Sequence, residues 1–230
     1  VTLAFYRWTL ATIILFPFAQ KYFFASLQTI KENFLYFLLA AATGVSIFNT
    51  FVYIGGHYSE AINLALIGTT SSPIMSVILA RIFLKERISP LRIVGMLVCL
   101  TGVLLLLSKG SWHTLLSFSF SKGDLWVLAA ALAFSIYNTM VKKKPAAIHP
   151  LGFLFTVFLI GTVLLLPFYL YEFNQVGGIA FNTTNVLVIL YLGLAASVIA
   201  FLIWNMSIAK LGSGRTALFS TLARLFSGVD

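Results

Sequence analysis

Charged residues are scarce in this chain. Only 9% of its 230 residues are charged and only 6 are acidic, whereas 60% are hydrophobic. In a soluble domain roughly a quarter of the residues are charged, and they cover the surface that faces water. The composition therefore excludes an ordinary soluble domain and predicts a chain whose surface faces lipid.

The chain also lacks the signatures of disulfide, metal and nucleotide chemistry. Its one cysteine, Cys99, lies within an apolar run, so no internal disulfide can form. The histidines His57, His113 and His149 are far apart in the sequence, no HExxH pattern is present, and there is no P-loop. We therefore expect no enzymatic activity, no bound metal and no cofactor.

What the chain has instead is a series of long apolar runs. A bilayer core of about 30 Å is crossed by about 20 apolar residues in a helix, and backbone groups in lipid must pair within their own segment. Strands of a transmembrane barrel would alternate in polarity, and these runs do not. The sequence predicts an all-α, polytopic bundle with eight visible spans, at approximately 2–19, 34–56, 60–84, 90–108, 124–142, 149–171, 186–206 and from 213 to the end.

Lysine and arginine are concentrated in every second loop between these spans, and residues 172–185 have none. The residues in the rich loops are Lys21, Lys31, Arg81, Lys85, Arg87, Arg92, Lys142, Lys143, Lys144, Lys210 and Arg215. The positive-inside rule places such loops in the cytoplasm. The pattern indicates a multi-pass protein of the inner (plasma) membrane. It explains the net charge of +9 better than binding to nucleic acid does.

Two short stretches resemble each other in pattern. Residues 53–63, YIGGHYSEAIN, can be aligned with residues 205–215, NMSIAKLGSGR. Each stretch ends one apolar span and begins the next, and the charge pattern places the first link outside and the second inside. Equivalent hairpins on opposite sides are typical of an inverted repeat, which is a common plan among transporters.

Four longer stretches resemble EamA-type members of the drug/metabolite transporter superfamily. They are LAFYRWTLA (3–11), residues 71–107, GDLWVLAAALAFSIYNTMVKKK (123–144) and LYLGLAASVIAFLIWNMSIAKLGSGRTALF (190–219). The resemblance implies ten helices in two five-helix inverted repeats. Helices 2–5 would lie in residues 1–110, a linker in 111–122 and helices 6–9 in 123–230, with the first and tenth helices absent from this chain. One departure is near Arg224, where the family has a proline equivalent to Pro73 and this chain has none.

The stretch 67–75, IGTTSSPIM, places hydroxyls and a proline inside an apolar run. Pro73 has no N–H and its ring crowds a preceding carbonyl, which predicts a kink. Neighbouring hydroxyls can pair with the backbone that the kink frees. We expect the bend at Pro73 to line or gate a pathway. Gly68, Ser72 and Ser76 recur every four residues, and this face suits close helix packing as well as gating.

Polar side chains within the spans are candidates for binding a solute, because amides and charges are costly in an apolar medium. Arg7 either binds an anionic group or extends to the membrane surface. Each asparagine either contacts solute or joins two helices, and Asn63 shares a helical face with Thr70. Aromatic residues can line a cavity, although most pack or form interfacial belts. The predicted substrate-binding residues are Arg7, Asn49, Tyr53, Asn63, Thr70, Tyr137, Trp204 and Asn205, with Tyr6 and Asn138 as further candidates.

No acidic residue lies near the middle of a visible span, although proton-driven carriers commonly use one. The acids are Glu32, Glu60, Glu86, Asp124, Glu172 and Asp230. We therefore expect facilitated or exchange-type transport, or proton coupling through His57 and Glu60 at the outer hairpin.

Together these patterns predict a membrane transporter that exports small organic solutes, such as amino acids or related metabolites, by alternating access. Membrane lipid surrounds it, and nucleic acid is not expected as a partner. Two other classes stay open. A lipid-modifying membrane enzyme would need a cluster of acids or histidines at one membrane face, and a scaffold would need no continuous cavity between the halves.

Overall fold

A computed structural model describes residues 1–59, 61–85, 88–107, 121–178, 182–213 and 215–216. Within these residues the regular structure is entirely helical. The prediction of an all-α fold is therefore confirmed. The predictions for Glu60, Arg224 and the linker at 111–120 lie outside the described residues, as does the side chain of Asn63.

Most of the helices are long, and two of them contain a π-helical turn. The α-helices are α1 Thr2–Ala25, α2 Leu27–Glu32, α3 Phe34–Ala41, α4 Ile47–Tyr58, α5 Ala61–Phe83, α6 Pro90–Leu107, α7 Lys122–Lys142, α8 Pro150–Val176, α9 Thr183–Gly193 and α10 Ala200–Leu211. The first π turn, Ala42–Ser46, joins α3 to α4, and the second π turn, Leu194–Ile199, joins α9 to α10. Each joined pair forms one continuous helix.

Five helices among the described residues are long and apolar enough to cross a membrane. They are Thr2–Ala25, Phe34–Tyr58, Lys122–Lys142, Pro150–Gln175 and Thr183–Leu211, and Thr70–Phe83 is a shorter apolar helix. The predicted spans up to 186–206 each coincide with a helix, whereas the last one lies mostly outside the described residues. Large apolar side chains such as Ile13, Val163 and Ile203 are exposed on these helices. Lipid is the solvent in which such exposure carries no penalty.

Local sequence signals set several helix ends. Helix α6 begins at Pro90, where the predicted span 90–108 begins, and proline at the first helical position gives up no needed N–H. His149 caps α8 by accepting a hydrogen bond from Leu151 N at 3.3 Å. Helix α8 ends at Val176 and is followed by Gly177, whose φ of 81° lies in the left-handed region that a residue with a Cβ rarely adopts.

The described helices belong to two compact units. The first contains Val1–Thr50 and Lys143–Ser207, and the second contains Phe51–Lys142 and Ile208–Asp230. Each unit combines segments from both predicted halves of the sequence. The boundaries of the repeats stay a prediction.

In the first unit, α1 and α8 pack along each other in opposite directions. Thr2 N, at the start of α1, donates to Glu172 Oε2 near the end of α8 at 2.9 Å. At the other end, the ring of Tyr22 stacks on His149 with centroids 3.7 Å apart. Between these ends, Thr12 Oγ1 lies 3.3 Å from Thr162 Oγ1.

These two helices also share a sequence pattern. Residues 12–18 read TIILFPF and residues 162–168 read TVLLLPF. The sequence alignment that pairs Pro17 with Pro167 also pairs Thr12 with Thr162. Equivalent residues therefore meet at the crossing. Antiparallel packing of equivalent helices is the arrangement that an inverted repeat requires.

The π turns agree with this repeat. The spacing that aligns Tyr53 with Asn205 also aligns Ala42, where the first π turn begins, with Leu194, where the second begins. π turns are rare in proteins. Two of them at matching places therefore agree with the repeat that the hairpin pattern indicates.

In the second unit, α4 and α7 approach closely at Gly55 and Gly123. A Cβ on Gly123 would lie 2.6 Å from Ser59 N and 2.7 Å from Gly55 O, and both of these are backbone atoms. Gly95, on α6, is a matched control because a Cβ there would meet no atom of the described residues within 4 Å.

We predict that Gly123→Ala destabilises the protein by about 1–3 kcal/mol, since the backbone must move to admit the methyl group. Gly95→Ala should leave the stability unchanged or raise it, because alanine has the higher helix propensity. Thermal unfolding in one detergent, followed for both variants, provides the measurement. Equal melting temperatures for Gly123→Ala and the unmodified protein would show that the close approach does not exist.

Candidate functional site

The face formed by Gly68, Ser72 and Ser76 on α5 lies against α7. A Cβ on Gly68 would lie 3.7 Å from Val127, in ordinary contact. Ser76 Oγ lies 3.1 Å from Ser135 Oγ, and the Ser135 hydroxyl also lies within hydrogen-bond distance, 3.2 Å, of Ser72 O. The described contacts of this face are therefore packing contacts between helices.

A small polar network continues from this face. Asn138 Nδ2 donates to Ser76 Oγ at 3.3 Å, and Ser76, Ser135 and Asn138 are all fully buried. Polar side chains that join helices in this way satisfy groups that would otherwise be costly in hydrocarbon. The network lies about one turn from Pro73, which is buried within a helix that continues on both sides of it. The gating role of Pro73 stays a prediction.

The other predicted residues of the second unit occupy varied environments. Tyr137 is fully buried, with its ring 5.8 Å from that of Phe134. Thr70 is half-buried and its hydroxyl lies 3.5 Å from Ile67 O. Tyr53 is half-buried on α4, whereas His57 is exposed near the end of the same helix.

Asp124 is a buried acid, whereas the sequence alone indicated only that it does not lie near the middle of a span. It is fully buried at the start of α7, where its carboxylate accepts hydrogen bonds from the Ser59 hydroxyl and from Ser121 N, the latter at 2.7 Å. The carboxylate thereby ties the end of the α4 hairpin to α7. The Gly-Asp pair at 123–124 was the available signal, but the partner Ser59 could not be identified from the sequence.

In the first unit, Arg7 reaches from α1 to the second π turn. Arg7 Nε donates to Ser197 Oγ at 2.6 Å, and Arg7 Nη2 donates to Ala196 O at 3.1 Å. Its guanidinium carbon lies 4.9 Å from the centre of the Trp8 ring, within the range of a cation–π interaction. The guanidinium group therefore binds a neighbouring helix and an aromatic ring.

Trp8 is the largest side chain that is fully buried beside this contact. Its ring packs edge-on against Phe158 and Phe201, with centroids 4.8 and 5.1 Å away. Trp8 Nε1 is buried without a hydrogen-bond partner in the described part of the chain. A buried indole N–H usually finds an acceptor. Trp8 was not among the residues predicted from the sequence.

The remaining candidates of the first unit lie near the two π turns. Asn49 is buried, and its Nδ2 donates to Val45 O in the first π turn at 2.6 Å. On α10, Asn205 is buried and Trp204 is half-buried. The hydroxyl of Tyr6 lies 3.0 Å from that of Tyr169.

The structure thus groups the predicted substrate-binding residues by unit. The first unit holds Arg7, Asn49, Trp204 and Asn205, and the second holds Tyr53, Asn63, Thr70 and Tyr137. Among the described residues, no three or more His, Cys, Asp or Glu side chains are placed to hold a metal ion.

We predict that Ser76→Ala lowers stability by about 0.6–1.7 kcal/mol, because it removes a buried hydrogen bond between two membrane helices. Thr101→Val is the matched control, since the exposed Thr101 hydroxyl donates to Leu97 O of its own helix, at 2.9 Å. Unfolding by denaturant in mixed micelles measures both variants. A loss for Thr101→Val as large as that for Ser76→Ala would contradict an interhelical role for Ser76.

Comparison with known proteins gives a consistent family. A family model described as the EamA-like transporter family matches residues 1–108 and 121–229. The "Uncharacterized transporter YyaM" of Bacillus subtilis is 27% identical, over 84% of this chain and 63% of that relative. An "Uncharacterized transporter" of Archaeoglobus fulgidus is 25% identical, over 99% of this chain and 76% of that relative.

A third relative carries a more specific name. The "Probable terminal-alkyne amino-acid exporter" of Streptantibioticus cattleyicolor is 30% identical, over 75% of this chain and 56% of that relative. The chain spans less than two thirds of this relative and of YyaM. The family match nevertheless extends over both sides of the predicted linker and includes almost every residue outside it. The chain belongs to the EamA-like transporter family.

Proposed function

We propose that this protein carries small organic solutes, namely amino acids or related metabolites, out of the cell by alternating access. The observation that carries the proposal is the antiparallel packing of α1 and α8, in which equivalent threonines meet at 3.3 Å. Two repeat-related helices that cross in this way can form the centre of a carrier whose halves rock in opposite senses. The amino-acid exporter among the relatives supports both the solute class and the direction.

The residues proposed to contact the solute are those predicted from the sequence to bind substrate. Arg7 would bind a carboxylate, because a guanidinium group binds a planar anion through paired hydrogen bonds. The indole N–H of Trp8, buried without an acceptor in the described part of the chain, would add a second donor. Asn49, Asn205 and Thr70 would contact polar groups of the solute. Tyr53, Tyr137 and Trp204 would make aromatic contacts with the solute, and Asn63 stays a predicted contact.

Energy coupling and gating are part of the same proposal. Transport would follow the solute gradient or exchange one solute for another, and coupling through His57 and Glu60 is the alternative. A pH gradient imposed on proteoliposomes distinguishes uncoupled from proton-coupled transport, because a pH gradient drives solute against the solute's concentration gradient only through a coupled carrier. The bend at Pro73 would act as a gate, and unchanged uptake by Pro73→Ala would count against that role.

Orientation and surroundings complete the proposal. The loops rich in lysine and arginine would lie in the cytoplasm, with the protein in the inner (plasma) membrane. A lipid-modifying enzyme or a scaffold would show no solute uptake in the assay below. The same measurement therefore separates a transporter from the other two classes.

The test is uptake by the full-length protein in liposomes, across a panel of radiolabelled amino acids. We expect at least one amino acid to enter about tenfold faster than in protein-free liposomes. Arg7→Gln should raise KM for that amino acid about tenfold or more, because a charged hydrogen bond contributes about 1.5–3 kcal/mol. The corresponding amine without a carboxylate should be unaffected by the change.

Arg81→Gln is the control, since Arg81 is exposed near the end of α5 and lies outside the proposed site. It should leave KM unchanged. The proposal is wrong if no member of the panel is carried. The assignment of Arg7 to the solute is wrong if Arg7→Gln and Arg81→Gln have the same KM.

A further inference from the structure

The two π turns occupy equivalent places in the repeat, but their exposed backbone groups are satisfied differently. A π turn contains one residue more than a regular α-helical turn. Carbonyl groups near the π turn therefore lose the backbone N–H groups that they would bond in an α-helix. In lipid these carbonyls must find other donors. The groups that donate hydrogen bonds to these carbonyls therefore show what holds each turn in place.

The first π turn is held by side chains of its own helix. Thr43 Oγ1 donates to Leu39 O at 2.7 Å, and Asn49 Nδ2 donates to Val45 O at 2.6 Å. Both donors are neutral. A further contact comes from Ser46 Oγ, which donates to Gly161 O on α8 at 3.0 Å.

The second π turn is held by a cation from another helix. The spacing that aligns Tyr53 with Asn205 also aligns Thr43 with Ala195 and Asn49 with Phe201. The side chains of Ala195 and Phe201 have no hydrogen-bond donor. Ser197 Oγ donates to Leu192 O at 2.9 Å, and Arg7 on α1 donates to Ser197 Oγ and to Ala196 O. Ser197 is fully buried. Hydrogen bonds connected in this way strengthen one another.

The cation is present at only one of the two equivalent places. The sequence alignment that pairs Pro17 with Pro167 pairs Arg7 on α1 with Val157 on α8. Conversion of a π turn to regular α-helix rotates the following segment by about 100°, which is one residue's rotation. At the second turn this rotation would also break two hydrogen bonds donated by a charged group, which are stronger than bonds donated by neutral groups.

We propose that Arg7 is a latch on the second π turn, and that the two π turns are unequal bending points of the carrier. The first turn loosens when neutral hydrogen bonds break, among them the bond from Ser46 to Gly161 O, whereas the second loosens only when the cationic Arg7 releases Ser197 and Ala196. An inverted repeat with two identical hinges would bend equally at both. The single arginine gives this protein a preferred order of bending. The inference concerns the resting protein and holds whatever solute is carried.

Amide hydrogen exchange, measured by mass spectrometry on the full-length protein in lipid nanodiscs without solute, tests the latch. We expect Arg7→Gln to speed exchange in peptides covering 194–199 about tenfold. Peptides covering 42–46 should change less than about twofold. For Arg7→Lys, the exchange rate in 194–199 should lie between the rates of the unmodified protein and of Arg7→Gln, because one ammonium group cannot reproduce the two-pronged guanidinium contact.

Asn49→Leu is the matched change at the first turn, since it removes the donor to Val45 O. It should speed exchange in 42–46 and leave 194–199 unchanged. Ser197→Ala should reproduce the effect of Arg7→Gln, and combining the two should add little because both act on one connected set of bonds.

An equal rise in both turns for Arg7→Gln, or no rise in 194–199, overturns the latch. If Arg7→Gln does not fold, Ser197→Ala decides the question. Unchanged exchange in 194–199 for a folded Ser197→Ala would equally overturn the proposal. Failure of every solute in the uptake panel would leave these exchange results standing, so the two proposals fail separately.

Discussion

The antiparallel crossing of α1 and α8 is the contact on which the first unit depends. In hydrocarbon there is no hydrophobic driving force that brings helices together. Close packing and hydrogen bonds must therefore hold membrane helices together. The crossing provides both. Trp8 packs against Phe158, and the hydroxyls of Thr12 and Thr162 meet. Each π turn then packs on one of these two helices, the first at Gly161 and the second at Arg7.

Polar contacts between the spans follow from the same constraint. A polar group in lipid has no water to bond, so it must find a partner inside the protein. Ser76, Ser135 and Asn138 form one such set in the second unit, and Arg7 with Ser197 forms another in the first. These sets join helices that are distant in sequence. They therefore specify which helices are neighbours, and packing of apolar side chains fills the remaining space.

Helices were predictable and contacts between them were not. The apolar runs located the spans because hydrocarbon thickness fixes their length, and the hairpin pattern at 53–63 and 205–215 indicated the repeat. The repeated motif TIILFPF and TVLLLPF is also present in the sequence, but only the fold shows that Thr12 and Thr162 meet. The roles of Asp124 and Arg7 needed the fold, because Ser59 and Ser197 approach them only after the helices pack.

Cross-linking tests the antiparallel crossing most directly. Cysteines at Thr12 and Thr162, in a Cys99→Ser background, can be oxidised in native membranes and the disulfide detected by its effect on electrophoretic mobility after proteolytic cleavage between the two helices. Disulfides form only when the two Cα atoms come within about 7 Å. The crossing predicts rapid disulfide formation for Thr12 with Thr162 and none for Thr2 with Thr162. Equal formation by both pairs, or none by the first, would contradict it.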